Sequence, residues 1–156
     1  MMNIALLADH TEVIPTLADW YRLEWEPYYG ADGLGDARVD LESRCNRDAL
    51  PIGLVALEGD QALGTVALDL DTATNLTPSV VGLLVGSEHR GRGIATALIE
   101  SATSLATQLG CGRVYVSTTA LGNLLLRMGW QLFGEAEFLN DERGSVYVCD
   151  LNVSHQ

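Results

Sequence analysis

The chain has 156 residues, enough for one domain with one core. It is 47% hydrophobic and 19% charged, which excludes a disordered tail. Three cysteines make no disulfide framework, and the apolar run 4–8 is too short for a signal peptide or a membrane span, so the expected setting is cytoplasmic. The formal charge is −12, with nine arginines and no lysine, and this speaks against a nucleic-acid partner, whose phosphates need a basic surface.

Asn3 to Ala8 reads as a short apolar strand ending at Asp9-His10-Thr11. Ile14, Leu17, Ala18, Tyr21 and Trp25 then recur at helical spacing, with Pro15 in the first turn. The Gly-, Tyr- and Asp-rich stretch 27–36 is a loop, and a second helix is expected over 37–46. Ile52–Leu57 and Ala62–Leu70 flank Glu58-Gly59-Asp60-Gln61, the pattern of an antiparallel hairpin with a four-residue turn. Val80–Val85, apolar on both faces apart from Gly82, has the composition of a buried central strand.

From Gly93 to Leu109, Ile94, Ala95, Leu98, Ile99, Ala102, Leu105, Ala106 and Leu109 form a wide apolar helical stripe, closed by Gly110. A strand (113–117), a short helix (122–128) and two closing strands (130–136 and 145–151) complete the order β-α-α-β-β-β-α-β-α-β-β. This order describes an α/β or α+β fold of three layers, a mixed sheet with helices packed on it. A single domain over 1–156 is expected.

The charge is unevenly distributed. Residues 1–71 hold 14 acids and four arginines, net −10; residues 72–134 are net +2; residues 135–156 are net −4. A weakly basic island in an acidic chain suggests two binding surfaces, one for an anion and one for a cation.

The island contains the most informative run, Val80 to Leu98, in which a strand passes through a polar, glycine-bearing loop into the N-terminus of a long helix. The free N–H groups and partial positive charge of a helix start bind anions. Gly91 and Gly93 keep side chains away from those amides, and Arg90 and Arg92 add forked donors suited to phosphate. A P-loop would need Gly-Lys-Ser/Thr, and the chain has no lysine. A dinucleotide fingerprint from Gly91 would need Gly or Ala where Thr96 stands, and no repeated β-α-β pattern follows.

Arg90-x-x-Gly93-x-Ala95, between a strand and an amphipathic helix, resembles motif A (Arg/Gln-x-x-Gly-x-Gly/Ala) of the GNAT superfamily of acyl-CoA-dependent N-acyltransferases. Gly129-Trp130 after a short helix resembles the end of its motif B, and the likeness extends over nearly the whole chain. The resemblance implies a GNAT-like fold with a mostly antiparallel central sheet and helices on both faces. It implies acetyl-CoA as cosubstrate, with Leu83, Leu84 and Val85 giving strand backbone to the pantetheine arm. Arg90, Gly91, Arg92, Gly93, Ile94, Ala95 and Thr96 would hold the pyrophosphate. Asn123, near the motif B end, would orient a water, contact pantetheine or cap the short helix.

The implied reaction is direct attack of an amine on the acyl thioester. A lysine-like amine titrates near ~10.4, so only on the order of one in a thousand is neutral at pH 7 and a base is needed. Glu24, in a Glu24-Trp25 pair similar to that of bacterial family members, is the first candidate base, and Asp69 and Asp71 are second choices. Counting back four residues from Gly129, where many relatives carry a tyrosine acid, gives Leu125, which cannot donate a proton. His10 reads as part of a helix entry, His89 as packing in the phosphate loop and His155 as part of a frayed tail. The histidines and cysteines have no metal-ligand spacing, so no metal is expected.

Trp20, Trp25, Tyr28 and Tyr29 are core or lid residues, of which one or two would wall an amine acceptor. The expected acceptor is a cationic small molecule or a peptide amine, with no membrane partner and a homodimer admitted. The competing reading is a catalytically weak acyl-CoA-binding sensor that kept the cleft and lost the acid.

Overall fold

The computed structural model describes residues 2–26, 28–71, 74–138 and 142–151. Its strands are β1 (Met2–Leu6), β2 (Ile52–Glu58), β3 (Gln61–Asp69), β4 (Ser79–Val85), β5 (Arg113–Thr118), β6 (Gln131–Glu137) and β7 (Arg143–Asp150). Its helices are α1 (Ile14–Glu24), α2 (Ala37–Ser43), α3 (Ile94–Gln108) and α4 (Gly122–Arg127). The strands form one sheet in the order β1-β2-β3-β4-β5-β7-β6, antiparallel throughout except for β4 beside β5.

Alternation along the central strands fills both faces of this sheet. Leu54 and Ala56 of β2 join Leu98, Ile99 and Ala102 of α3 and Leu125 of α4 in one core cluster. Val55 and Leu57, on the opposite face, join Leu17 and Tyr21 of α1 and Leu41 of α2 in a second. Helices on both faces of a mixed sheet make the three layers that the element order describes.

Several boundaries differ from the sequence reading. The first strand stops at Leu6, because residues 7–9 turn as a 3-10 helix that buries Leu7. The second helix stops at Ser43, with Arg44 as its C-cap. The β2–β3 turn is two residues rather than four: Glu58 pairs with Gln61, and Gly59 takes the positive φ of 61° that such a tight hairpin requires.

β4 is central, but only Ser79, Val80 and Leu84 are fully buried; Val81, Gly82, Leu83 and Val85 keep partial access. The reason lies beside it. The β4–β5 ladder registers a single pair, Ser79 with Tyr115, and beyond it the two parallel strands diverge. A second irregularity falls in β4 itself: Ala67 pairs with Val81 and Thr65 with Leu84, so Val66 alone stands opposite Gly82 and Leu83. This is a β-bulge, and Gly82 occupies it at φ 63°.

Candidate active site

Where β4 and β5 part, a cleft of about 1270 Å³ opens. Its floor is β4 from Val80 to Val85 on one side and Val116, Ser117 and Thr118 of β5 on the other. The edge of β4 that faces β5 is left without ladder partners past Ser79, and such an edge pairs readily with the amides of an extended ligand.

The strand leads through residues 86–93 into α3. Gly93 is the N-cap at φ 78° and no side chain caps the helix, whose first residues, Ile94, Ala95 and Thr96, line the cleft. A Cβ at Gly91 or Gly93 would meet no protein atom. Glycine is required at these two positions by their left-handed backbone, φ 79° and 78°, and the open space beside them is what an anion would occupy.

Of the residues predicted from sequence, Glu24, Leu83, Leu84, Val85, Arg90, Gly91, Gly93, Ile94, Ala95 and Thr96 all line this cleft. Arg92 and Asn123 do not. Arg92 turns away toward the β2–β3 hairpin, its guanidinium 3.4 Å from both Glu58 and the His89 ring. Asn123 lines a separate recess of about 320 Å³ with Arg143 and Tyr147, because the first turn of α4 packs Gly122 against the Tyr147 hydroxyl. Asp71 lines the cleft, whereas Asp69 does not.

Arg90 does not extend freely. Its Nε donates to the Val85 carbonyl at 3.1 Å and its Nη2 to Glu24 Oε1 at 3.0 Å. This ties the phosphate-loop arginine to the candidate base across 66 positions of sequence. Asp71, on the β3–β4 connection, accepts Ser117 Oγ at 2.6 Å and Thr74 Oγ1 at 3.1 Å, which places a second carboxylate beside β5.

Leu125 is fully buried in the α3-side core and is absent from the cleft lining. The position counted back from Gly129 therefore faces the core. His89 is buried at the start of the loop, its ring 6.4 Å from that of Trp20, and packs as expected. His10 lies between two 3-10 turns and pairs with Glu12 at 3.4 Å. His155 lies outside the described residues. Among the described residues no group of three His, Cys, Asp or Glu side chains is placed to hold a metal ion, and no helix is long and apolar enough to cross a membrane.

The half of the cleft away from the start of α3 is aromatic and acidic. Trp25, Tyr28 and Tyr29 line it together with Glu24, Glu26 and Asp32 from the acidic first block and Glu142 from the last. The rings of Tyr21, Trp25, Tyr28 and Tyr29 form a continuous layer at centroid spacings of 4.8–5.6 Å. The Tyr29 hydroxyl donates to Asp40 at 2.7 Å, and burial followed by this bond holds its pKa well above the ordinary phenol value. Gly35 is confined for another reason: a Cβ there would run into the Tyr28 ring.

Sequence reasoning missed Arg44. It lines the cleft, is 91% buried, and donates from Nη1 to Tyr21 Oη at 3.0 Å. The Tyr21 hydroxyl in turn donates to the Gly82 carbonyl at 2.6 Å. Nothing local marks Arg44, because its burial depends on where α2 docks relative to β4.

The family model described as acetyltransferase (GNAT) family matches residues 17–130. No curated protein matches the chain by sequence. Solved structures match over nearly the full length at low identity. An aminoglycoside 6'-N-acetyltransferase complexed with coenzyme A aligns at TM-score 0.77 and 16% identity, covering 96% of this chain and 97% of that one. The aminoglycoside 6'-N-acetyltransferase from Enterococcus faecium aligns at TM-score 0.75 and 15% identity, covering 96% and 97%. A Drosophila melanogaster polyamine N-acetyltransferase, which catalyzes the formation of N-acetylagmatine, aligns at TM-score 0.71 and 16% identity, covering 97% and 100%. With the parted β4 and β5, the uncapped α3 start and a family match across most of the chain, this protein belongs to the acetyltransferase (GNAT) family.

Proposed function

We propose that this chain moves the acetyl group of acetyl-CoA to the primary amine of a small molecule by direct attack within a ternary complex. The observation that carries the reading is the continuity of one cleft. The strand edge for pantetheine, the helix start for pyrophosphate and an acidic aromatic chamber for an amine all line the same space. The pyrophosphate takes the free amides at Gly93–Thr96, with Arg90 beside them. The amine enters against Trp25, Tyr28 and Tyr29, whose faces favour its protonated form.

In the reaction the amine must first lose a proton to a carboxylate, directly or through water. Its lone pair then forms the C–N bond, the C–S bond breaks, and CoA leaves as a thiolate that takes up the second proton, which the nitrogen loses as it becomes the amide. Holding both reactants in one cleft supplies much of the rate by making the attack effectively unimolecular. Glu24 is the proposed base: an arriving pyrophosphate competes for Arg90 and releases the carboxylate for the amine. Asp71 lines the same cleft and is the second candidate. A thiol with pKa near ~8.5 is an adequate leaving group, so a tyrosine at 125 is not needed.

The test is release of free thiol from acetyl-CoA across an amine panel, read with a thiol reagent. Turnover with at least one amine supports transfer. Tight acetyl-CoA binding with no turnover across the panel would replace this reading with that of an acyl-CoA-binding sensor.

A further inference from the structure

Arg44 occupies an unusual electrostatic position. A guanidinium cannot discharge itself at physiological pH, so burial cannot be relieved by losing a proton. Its desolvation is unfavourable unless hydrogen bonds and an opposite charge offset it. Here Nη1 has one neutral partner, Tyr21 Oη, and the Tyr21 ring lies 5.8 Å from Cζ. Among the described residues no carboxylate forms an ion pair with Arg44; the neighbouring acid, Asp40, is engaged by the Tyr29 hydroxyl. Every fully buried side-chain polar atom of the described residues has a partner, so the remaining guanidinium nitrogens keep access to the cleft that Arg44 lines.

The place of this charge identifies its ligand. A Cβ built on Gly82 would lie 2.7 Å from Arg44 Nη1, so the guanidinium rests against the β4 bulge. At about 3.3 Å per residue, Val85 is roughly 10 Å further along the strand, and the phosphate loop lies beyond it. The pyrophosphate therefore does not reach Arg44. An anion bound there sits at the middle of β4, short of the phosphate loop and beside the Tyr21, Trp25 and Tyr29 rings of the acidic and aromatic half of the cleft. The remaining fork of donors suits a carboxylate.

We propose that Arg44 anchors a carboxylate of the acceptor, so that the amine taken by this cleft is an amino acid and not a simple amine or polyamine. The inference rests on the acetyl-transfer reading above and narrows its substrate. The acidic and aromatic wall receives the ammonium end, and Arg44 receives the carboxylate end. Tyr21, fully buried and with its pKa raised chiefly by that burial, stays protonated and fixes the guanidinium against the bulge.

The experiment uses the full chain with the twenty amino acids, each paired with its amide and, where one exists, its decarboxylated amine. Initial rates with acetyl-CoA give kcat/KM, and calorimetry in the presence of CoA gives binding without chemistry. At least one amino acid should exceed its carboxylate-free partners by ten-fold or more in both measurements. Arg44→Lys and Arg44→Met should bring that ratio toward one, mainly through KM, a change that a purely structural role would not produce. If no amino acid exceeds its amide in rate or binding, the proposal is overturned; this comparison needs only the unmodified protein, so it decides even if the variants do not fold. A preference for succinyl-CoA over acetyl-CoA that disappears in Arg44→Met would put the carboxylate on the acyl chain and also overturn it. Carboxylate-dependent binding without turnover would retain the Arg44 assignment and refute acetyl transfer. Turnover without carboxylate preference would do the reverse.

Discussion

Replacing Gly82 with alanine strains two features at once. The residue sits at φ 63°, where an L side chain costs about 1–2 kcal/mol. The new Cβ would stand 2.6 Å from Tyr21 Oη and 2.7 Å from Arg44 Nη1, closer than any real contact allows. Relief requires Tyr21 to move, which breaks its 2.6 Å, part-buried bond to the Gly82 carbonyl, at about 0.5–1.5 kcal/mol. The sum is roughly 1.5–3.5 kcal/mol, or a fall in Tm of roughly 3–14 °C for a chain of this size.

The assay is thermal and urea unfolding of Gly82→Ala, Tyr21→Phe and the double variant. Tyr21→Phe removes the atom that Cβ meets first, so the double variant should be less destabilised than the sum, by about 0.5 kcal/mol or more. A Gly82→Ala protein with unchanged Tm, or strict additivity with Tyr21→Phe, would refute the packing of Tyr21 onto the bulge.

Glu24→Gln should lower kcat by about 10²-fold or more if Glu24 is the base. The same change removes an exposed ion pair to Arg90 of about 0.2–1 kcal/mol, so acetyl-CoA should bind equally well or up to about five-fold tighter. Unchanged kcat would transfer the role to Asp71. Leu125→Tyr should cost about 1–3 kcal/mol of stability by overpacking the core, without raising turnover; a faster enzyme of unchanged Tm would show that position 125 reaches the thiolate. Burial raises the Cys45 and Cys149 thiol pKa values, with Glu42 and Asp150 adding to the shift. Both should therefore react with iodoacetamide at pH 7.5 more slowly than free cysteine, with rates that climb at higher pH. Mass spectrometry of the alkylated chain reads this, and labelling at the free-thiol rate would contradict it.

The junction proposed to hold the pyrophosphate was legible because its determinants are consecutive. A strand, a turn with two left-handed glycines and an amphipathic helix lie within twenty residues, so local preference and spacing are sufficient. The acidic first block also supplies Glu24, Glu26, Asp32 and Asp71 to the cleft. Arg92 and Asn123 fall outside the large cleft for a common reason. Spacing brings a residue to the right segment but does not say which way its side chain leaves the backbone, and here one turns to Glu58 and the other to a recess under β7.

What the sequence alone determined is therefore the family, the order of elements and the glycine-bearing turn into α3, each written in contiguous residues. The tertiary structure decided the rest. The cleft exists because a parallel pair of strands parts after one registered contact, and that depends on the packing of both faces of the sheet. The bulge at Gly82 is invisible until its register against β3 is known. Arg44 counted only as one positive charge in an acidic stretch. Docking of α2 buries it against β4, and only there does a guanidinium that no carboxylate of the described residues pairs with become the ground for a proposal about the substrate.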